Sequence, residues 1–534
     1  MCARKLNSCQ SLHLGYSSRV MSLSSKSITL IIPPSAFLLD ERVFMSLGIL
    51  KVAAALEQYG YPVEVLDLSG VENYEEAISI HAATTQSQFF GLTATTPQLP
   101  AAFKISKAIR SQNKEAKILL GGPHITLVAA ALKRERARAI PNGRAFLAFE
   151  SLKKYFDILV AGDGELAIRL ALEKNAPSYI DADDPKTTLF LKNSTLDELP
   201  FPARHLIDVE SYKYTIDGIR ALSLIAQLGC PYECGFCGGR YSPYLRRIRM
   251  RTSQNIIEEI RHLYHTYHIQ GFMLYDDELN VNPKMVELMN GITALQKKEN
   301  TEFRLRGFIK SQLFTDEQAQ AMVQAGFRWI LVGFESGSPL ILRNINKKAT
   351  REENTRCMEI AKRHGLKVKA LMSFGHPGES PQTIQQTLDW LLEVKPDDFD
   401  MTVITTYPGT PYYDDAKLYD EKENVWVYEF QGDRLYSYEV DYMQTAKYYK
   451  GDPNGGYQSF VYTEALSPEE LVRLRDLSEK SAREKLNIPY PAASKAIRYE
   501  HSMGQFGSNL PPNILRRSSI EQSRRFSSEN PRTV

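Results

Sequence analysis

Short β-rich segments alternate with amphipathic helical segments from residue 28 to about residue 170, and again from residue 221 to about residue 420. Strands that are separated by helices pair in parallel, because each helix returns the chain to the edge of the sheet from which it started. The alternation therefore predicts an α/β fold with two parallel-sheet units. A chain of 534 residues is also too long for one ordinary domain, so two units agree with its length.

The first unit, 28–174, shows the pattern of a doubly wound, Rossmann- or flavodoxin-like sheet, in which ligands bind at the carboxyl ends of the strands. Its strands are expected at 28–33, 62–68, 89–94, 117–121 and 158–161, and its helices at 46–59, 74–83 and 101–112. A dinucleotide site would require a Gly-x-Gly-x-x-Gly turn after the first strand. The chain has Pro33-Pro34-Ser35 there, so the pattern does not identify the ligand of this unit. Residues 175–220 lack clean periodicity and are predicted to be a linker.

The second unit, 221–420, is predicted to be a partial, open (βα)6 TIM-like barrel. Its strands are expected at 221–228, 271–276, 302–309, 328–334, 367–375 and 398–406. Capping boxes at Thr315-x-x-Gln318 and Thr350-x-x-Glu353, and the pair Ser380-Pro381, mark helix starts between them. Barrel chemistry is expected at the carboxyl ends of these strands.

The remaining segments are smaller. Residues 421–506 are predicted to be an α-rich accessory unit, because Ser467-Pro468-Glu469-Glu470 begins a capped helix, and 507–534 to be a disordered tail. Residues 1–27 contain no Asp or Glu and many Ser. That composition is typical of a disordered extension, with Met21 as an alternative start, or else of an organellar transit peptide. The first interpretation favours a cytoplasmic protein.

Charge and hydropathy exclude two classes of partner. The 65 Lys and Arg residues nearly balance the 63 Asp and Glu residues, so no overall field favours nucleic acid. The longest apolar runs have the length of a strand, far short of the roughly 20 residues that cross a bilayer. We therefore expect no nucleic-acid partner and no membrane span.

Three of the six cysteines, Cys230, Cys234 and Cys237, lie within eight residues and directly after the first barrel strand. Thiolates at this spacing allow one loop to hold one iron–sulfur cluster, with the fourth iron left for another ligand. Structural zinc is the competing interpretation, but it requires four protein ligands, and no Cys or His near the trio supplies the fourth. Cys357 falls in a predicted helix beside Met358 and is interpreted as a packing residue.

Further motifs follow the later barrel strands: Tyr275-Asp276-Asp277-Glu278, Gly333-Phe334-Glu335-Ser336-Gly337, Phe374-Gly375-His376-Pro377-Gly378-Glu379 and Tyr407-Pro408-Gly409-Thr410-Pro411. With the cysteine trio, they make residues 221–420 resemble the radical S-adenosylmethionine superfamily. The resemblance implies a [4Fe–4S] cluster on the three cysteines and S-adenosylmethionine on its open iron. The acidic motif lacks the Gly-Gly-Glu that the family often has, so which of its carboxylates acts stays open.

The same resemblance implies a set of residues that contact S-adenosylmethionine. An aromatic side chain is expected beside the adenine of S-adenosylmethionine, and acidic side chains are expected at its amino group. A cation on the third strand is expected at its carboxylate, and a motif after the fourth strand completes the set. In this chain the matching positions are Phe236, Asp276, Asp277, Arg306, Glu335 and Ser336.

Placed before such a barrel, the first unit resembles the cobalamin-binding domain of class B members of this superfamily. The matching positions follow four strands of the unit: Ser46, Thr93, Thr95, Gly121, Gly122, His124, Gly162, Gly164 and Glu165. Glycines let the backbone approach a bulky tail, and threonine hydroxyls can donate to corrin amides. The Asp-x-His-x-x-Gly motif that supplies an axial histidine in many cobalamin proteins is absent. The resemblance therefore implies cobalamin bound without a protein imidazole.

The resemblance as a whole implies a cobalamin-dependent methylase that acts on an unactivated carbon of a small molecule. An electron donor such as flavodoxin or ferredoxin would reduce the cluster. The alternative enzyme is an oxidative cyclase or rearrangement enzyme of the same architecture. A methylthiotransferase would resemble chains with further amino-terminal cysteines, where this chain offers Cys2 and Cys9. A non-catalytic corrinoid-binding protein is the alternative from another class.

Overall fold

The computed structural model describes residues 26–35, 40–445 and 458–490, together with the backbone of 515–517. The amino-terminal unit contains six parallel strands in the order β2-β1-β3-β4-β5-β6. The strands are β1 (Ile28–Ile32), β2 (Val63–Asp67), β3 (Phe89–Thr93), β4 (Lys117–Gly121), β5 (Ile158–Gly162) and β6 (Tyr179–Ala182). The helices are α1 (Leu47–Gln58), α2 (Tyr74–Thr84), α3 (Leu99–Gln112), α4 (Pro123–Ala137), α5 (Arg144–Lys153) and α6 (Gly164–Ala171).

This sheet is doubly wound, as the sequence predicts. Helices α1 and α6 contact each other and share one buried apolar cluster, whereas α2 to α5 contribute to a second cluster on the other face. All five predicted strands form. The sixth, β6, lies within the segment predicted to be a linker. It is four residues long, and its side chains alternate between half-buried and buried at the sheet edge. The sequence therefore shows too few apolar residues there to indicate a strand.

The second unit is an open barrel of six parallel strands, β8 and β11 to β15, with the short β7 antiparallel at one edge. After α7 (Asn193–Leu196), the strands are β7 (Thr215–Ile216), β8 (Ile219–Leu224), β9 (Gln227–Leu228), β10 (Arg249–Met250), β11 (Gly271–Leu274), β12 (Arg304–Phe308), β13 (Phe327–Glu335), β14 (Lys367–Phe374) and β15 (Asp398–Val403). The helices are α8 (Pro243–Arg246), α9 (Ser253–Tyr267), α10 (Met285–Glu299), α11 (Asp316–Ala325), α12 (Pro339–Asn344), α13 (Arg351–Arg363) and α14 (Pro381–Val394). The predicted partial (βα)6 barrel is therefore confirmed.

The helix starts follow the predicted caps. The Thr350 hydroxyl accepts a hydrogen bond from the backbone of Glu353 at 3.2 Å, and the Glu353 carboxylate accepts one from the backbone of Thr350 at 2.9 Å. At α11 the Thr315 hydroxyl accepts from the backbone of Gln318 at 3.2 Å, but the Gln318 side chain does not return the bond, so the predicted capping box forms only in part. These bonds satisfy backbone N–H groups that a helix start leaves without an intrahelical partner.

The carboxyl-terminal unit contains the expected helix and also a four-stranded antiparallel sheet, where only an α-rich unit is predicted. Its elements are α15 (Pro411–Asp414), β16 (Lys417–Asp420), β17 (Val425–Phe430), β18 (Asp433–Tyr438), β19 (Val461–Tyr462) and α16 (Pro468–Leu486). In the segment predicted to be a disordered tail, β20 (Leu515–Arg517) pairs antiparallel with β2. The rest of that tail and residues 1–25 lie outside the described residues.

The buried apolar core continues from one unit to the other. One cluster extends from the α1 face of the amino-terminal sheet, through Leu206 and Tyr212 of the connecting segment, into the helices of the barrel. The two sheets are thus joined by packed side chains as well as by the chain itself. Within the described ranges, no helix has both the length and the apolar composition that crossing a bilayer requires.

Candidate functional site

The three clustered cysteines lie on a loop after β9, at the carboxyl end of the barrel. All three are free thiols. The backbone N–H of Cys230 donates to the carbonyl of Leu245 at 3.0 Å, and that of Gly235 donates to the carbonyl of Ile345 at 2.8 Å. The N–H of Tyr412 donates in turn to the Gly235 carbonyl at 3.1 Å. Segments after β9, β13 and β15 therefore hold this loop.

Two glycines permit this close packing. A Cβ added to Gly235 would lie 2.4 Å from Cε1 of Tyr412. Gly229 has a φ of +85°, and a Cβ there would lie 2.2 Å from the carbonyl oxygen of Arg247. A side chain at either position would push the cysteine loop away from the barrel.

The surroundings of the thiols favour a bound cation. Burial, and after it the carboxylates of Glu278 and Asp277, raise the pKa of the Cys230 thiol to about 11. Burial also raises the pKa of the Cys234 thiol, whereas Cys237 is exposed. Thiolates form at such a site only when a positive group stabilises them, and a coordinating metal does so outright.

A cluster fits this loop better than a single ion. Among the residues that the structure describes, no group of three His, Cys, Asp or Glu side chains surrounds one metal-ion position. A structural zinc site requires four ligands around one ion, and within the described residues no such group includes the three thiols. Three thiols on one loop match the donor set of a cubane cluster with one open iron.

Two buried lysines lie against the cysteine loop. Lys310 is 2% exposed; its ammonium lies 3.9 Å from the centre of the Tyr232 ring and donates to the Lys347 carbonyl at 3.1 Å. Lys347 is 4% exposed, and its ammonium donates to the Glu335 carboxylate at 2.9 Å. Lys310 makes no ion pair of 4 Å or less with a carboxylate in the described ranges. Because a buried charge is costly unless it is compensated, an anion beside the cysteine loop would stabilise Lys310.

The Glu335 carboxylate lies at the centre of a buried polar chain. It pairs with Lys347 and accepts a hydrogen bond from the Ser373 hydroxyl at 2.8 Å. Ser373 also contacts Nε2 of His376 at 2.8 Å, and the His376 ring lies 5.4 Å from that of Phe236. Burial acts to raise the pKa of Glu335, but Lys347 outweighs it, and the pKa is lowered. Glu335 also has a φ of +64°, which is strained for a non-glycine residue.

The other predicted positions on this side of the barrel differ in their surroundings. The Asp276 side chain is 2% exposed and accepts hydrogen bonds from the backbone of Ala226 and Gln227 at 2.9 and 2.5 Å. Burial raises its pKa to about 7. Asp277 is exposed, and Ser336 is buried with its hydroxyl 2.8 Å from that of Thr387. Asp276 thus fixes the backbone before the cysteine loop, whereas Asp277 remains accessible.

Arg306 is not brought to the cysteine loop. It lies in the middle of β12, donates to the Tyr214 hydroxyl at 3.0 Å and lies 5.5 Å from the Trp329 ring. The buried cations beside the cysteine loop are Lys310, two residues after the end of β12, and Lys347. Sequence reasoning missed Lys310; its place after the third barrel strand, where the chemistry of a barrel is expected, was the available signal.

The positions predicted in the amino-terminal unit lie along the carboxyl edge of its sheet. Ser46 precedes α1, Thr93 ends β3, and Thr95 hydrogen-bonds Gln98 at the start of the next turn. Gly121 ends β4, Gly162 ends β5, Gly164 begins α6 and Glu165 follows it.

Two of these positions show why small or buried residues occur there. Gly122 has a φ of +92°, and a Cβ on it would lie 2.5 Å from the Thr93 hydroxyl. His124 is 2% exposed, and its Nδ1 lies 3.1 Å from the Thr96 hydroxyl. Burial lowers the pKa of His124 to about 4, so its imidazole is neutral and packed into the wall at physiological pH.

A cleft lies where the two units meet. From the amino-terminal unit, Gly48 and Glu165 line it; from the barrel, Gln227 and Tyr244 line it. Gln227 belongs to β9, directly before the cysteine loop. The edge of the first sheet and the approach to the cysteine loop therefore face one shared space.

Comparison with known proteins agrees with this arrangement. Residues 224–391 match the profile of the Radical SAM superfamily, and residues 41–153 match that of the B12 binding domain. An uncharacterized methyltransferase of Pyrococcus horikoshii is 27% identical over 328 residues, which are 61% of this chain and 68% of that protein. The anaerobic magnesium-protoporphyrin IX monomethyl ester cyclase of Cereibacter sphaeroides is 21% identical over 68% of this chain and 59% of its own length.

Solved structures share the fold. The radical S-adenosylmethionine methyltransferase TsrM of Kitasatospora setae, with tryptophan and a S-adenosylmethionine analogue bound, aligns over 92% of this chain and 94% of its own, with a TM-score of 0.59 and 18% identity. The cobalamin-dependent S-adenosylmethionine radical enzyme OxsB aligns over 73% of this chain and 55% of its own, with a TM-score of 0.53 and 18% identity. At these identities the likeness is one of fold.

Proposed function

Because this chain is a radical S-adenosylmethionine protein with a B12-binding domain, we propose that it is a cobalamin-dependent methyltransferase that acts on an unactivated carbon of a small molecule. The observation that carries the proposal is the shared cleft, in which residues of the B12-binding domain face the strand that leads into the cysteine loop. A methyl carrier and a radical source are useful together only if both reach one substrate.

Each part of the site has a proposed role. Cys230, Cys234 and Cys237 would hold a [4Fe–4S] cluster, and Lys310 would balance part of its charge. Phe236, Asp277, Glu335 and Ser336 would contact S-adenosylmethionine. When bound here, the cluster and S-adenosylmethionine would supply the one-electron cleavage, and cobalamin would carry the methyl group. The protein would hold these groups in position and exclude water from them.

The carboxyl edge of the amino-terminal sheet would contact cobalamin through its glycine turns and hydroxyl groups. The proposed contacts are Ser46, Thr93, Thr95, Gly121, Gly122, Gly162, Gly164 and Glu165. His124 would contribute to the wall and would not bind cobalt, because its side chain is packed inside the domain with 2% exposure. Asp276 and Arg306 would act as structural groups, the first on the backbone of β9 and the second within the barrel.

The decisive experiment follows both fates of S-adenosylmethionine. The anaerobically reconstituted protein is incubated with cobalamin, a reductant, methyl-deuterated S-adenosylmethionine and a small-molecule extract, and the products are analysed by mass spectrometry. A methyltransferase should transfer the label intact to a product and form S-adenosylhomocysteine and 5′-deoxyadenosine in equal product-linked amounts. Deoxyadenosine matched to an unlabelled product, with no S-adenosylhomocysteine, would contradict the proposal.

A cyclase is the second candidate, and one observation favours it: the relative from Cereibacter sphaeroides is a cyclase in name. A cyclase would form deoxyadenosine in step with a ring-closed product and would transfer no methyl group. A non-catalytic corrinoid protein would bind cobalamin but would not cleave S-adenosylmethionine. The same incubation therefore separates all three functions.

A further inference from the structure

The Glu335 carboxylate is aimed by an irregular strand end. The pairing of β13 with β14 shifts register between Gly333 and Glu335, and Glu335 has a φ of +64°. A bulge of this kind re-aims a side chain, and a strained φ persists only where the surroundings hold it. Gly333 leaves the necessary room, because a Cβ there would lie 2.5 Å from Oε1 of Glu335. The orientation of this carboxylate is therefore imposed by its neighbours.

Each oxygen of the Glu335 carboxylate has its own donor. The Lys347 ammonium donates to Oε1 at 2.9 Å, and the Ser373 hydroxyl donates to Oε2 at 2.8 Å. The pKa of Glu335 is lowered because Lys347 outweighs the effect of burial, so the carboxylate is ionised and can only accept hydrogen bonds. The single hydroxyl proton of Ser373 must therefore point at Glu335. A carboxylate oxygen can accept a second hydrogen bond, so both oxygens can still receive a donor from a ligand.

The direction of this hydrogen bond fixes the direction of the next two. The Ser373 oxygen lies 2.8 Å from Nε2 of His376, and since its proton is engaged with Glu335, Nε2 must carry a proton and donate to it. His376 is wholly buried, and burial lowers its pKa to about 4, so the ring is neutral and Nδ1 carries no proton. Nδ1 accepts from the Tyr412 hydroxyl at 3.3 Å. The hydrogen bonds thus run in one direction towards Glu335, and we call Tyr412, His376 and Ser373 the hydrogen-bond array.

The far end of the array is anchored on the cysteine loop. Tyr412 is 1% exposed, and its backbone N–H donates to the carbonyl of Gly235 at 3.1 Å. The His376 ring lies edge-on to that of Phe236, with 5.4 Å between the ring centres. Gly235 and Phe236 lie between the second and third cysteines of the loop. The array therefore connects the cysteine loop to the carboxylate at the end of β13.

We propose that the hydrogen-bond array positions the Glu335 carboxylate to accept a hydrogen bond from S-adenosylmethionine. Its members are positioning residues, because they act through Glu335. The inference rests on the proposed function, in which Glu335 contacts this cofactor. S-adenosylmethionine offers donors in its two amino groups and its ribose hydroxyls. A carboxylate that is already held in place loses little freedom when it accepts from one of them, and this raises the affinity.

The test measures the affinity of the reconstituted full-length protein for S-adenosylmethionine by equilibrium dialysis. The cluster is kept oxidised, so that the cofactor is not cleaved, and iron is assayed in every variant. Ser373→Ala removes the donor beside Glu335 and should weaken binding about tenfold, because a hydrogen bond to a charged group is lost. Glu335→Gln should also weaken binding. In the Glu335→Gln background, Ser373→Ala should cause no further loss, since the serine acts through that carboxylate.

A second pair of variants tests the far end of the array. Tyr412→Phe removes only the hydroxyl and should weaken binding about threefold, less than Ser373→Ala, because the lost hydrogen bond is between neutral groups. Tyr428→Phe is the matched control: its buried ring lies 4.8 Å from that of Tyr412 and outside the array, and it should bind as wild type does. This pair keeps the test decisive if the uncompensated charge of Lys347 prevents Glu335→Gln from folding.

Four results would overturn the proposal: wild-type affinity in Ser373→Ala or in Glu335→Gln, losses that multiply in the double variant, loss of iron in Ser373→Ala, or equal affinities in Tyr412→Phe and Tyr428→Phe. Multiplied losses or lost iron would show that the array only supports the fold. Failure of the wild-type protein to bind S-adenosylmethionine, or binding that survives loss of the cluster in Cys234→Ala, would instead contradict the proposed function.

Discussion

Glu259 connects two guanidinium groups inside the protein, and its substitution by Gln tests how charge stabilises this fold. The Glu259 carboxylate lies 2.8 Å from Arg204 and 2.5 Å from Arg251, and Glu259 and Arg204 are each 1% exposed. Arg204 belongs to the connecting segment, and Glu259 belongs to α9 of the barrel. The carboxylate therefore fastens the connecting segment to the barrel.

Glu259→Gln keeps the size of the side chain and removes its charge. Removing one partner of a buried ion pair costs about 3–5 kcal/mol, because it leaves an uncompensated buried charge. For a unit of roughly 150–250 residues, each kcal/mol lowers the melting temperature by about 2–4 °C, so we expect a fall of about 6–20 °C. Glu258→Gln, at the exposed neighbouring position, should change stability by about 0.5 kcal/mol or less.

The effect should also depend on pH. Burial acts to raise the pKa of Glu259, but Arg204 and Arg251 outweigh it, so its pKa is lowered in the folded protein. A lowered pKa stabilises the folded state above the pKa of the unfolded chain, and this stabilisation is lost as the pH falls through the folded value. Thermal unfolding followed by circular dichroism should show the full difference from wild type at neutral pH and a smaller one in acid. Equal melting temperatures for Glu259→Gln and Glu258→Gln at neutral pH would refute the reasoning.

Three further predictions concern the site. Cys234→Ala should abolish the iron and sulfide of the reconstituted protein, whereas Cys357→Ala, at a buried helical position, should leave about four of each by colorimetric assay; iron loss in both variants would contradict the assignment. Gly122→Ala should cost about 1–3 kcal/mol in urea unfolding, because its φ of +92° is strained for alanine, and an unchanged midpoint would count against this. Lys310→Met should make the cluster harder to reduce. At a fixed potential, electron paramagnetic resonance should show a ratio of reduced to oxidised cluster that is at least about tenfold lower than in wild type, which corresponds to a fall in reduction potential of about 59 mV. An unchanged ratio would show that Lys310 does not balance the cluster charge.

The parallel sheets could be predicted because their signal is periodic. All five residues of Ile28–Ile32 are buried and four of them are apolar, which marks the segment as a strand in the sequence. The antiparallel strands β17 and β18 were missed, because a tyrosine-rich segment suggests packing without indicating which backbone pairs with which. Long-range pairing, as between β20 and β2, leaves no local trace in the sequence.

For the site, the cysteines were identified from spacing, but the cations were not. Arg306 is predicted to contact the cofactor because it lies on the third barrel strand. The position of a residue along its strand decides which groups its side chain contacts, and Arg306 lies in the middle of β12. Lys310 is four residues further on, and the burial of its ammonium against Tyr232 is a property of the folded loop. A single sequence contains no measure of depth within a barrel.

The continuous core through Leu206 and Tyr212 has a consequence for how this architecture can be divided. Domains that share only a linker can be expressed apart, exchanged between proteins or swung open on a hinge. Here a cut in the connecting segment would expose apolar surface on both pieces, so each would tend to aggregate. Separate production of the two halves is therefore a poor route to study this protein, and variants of the intact chain are the better one. The shared core also opposes a hinge opening between the two halves, because parting them would expose the apolar side chains that the core buries.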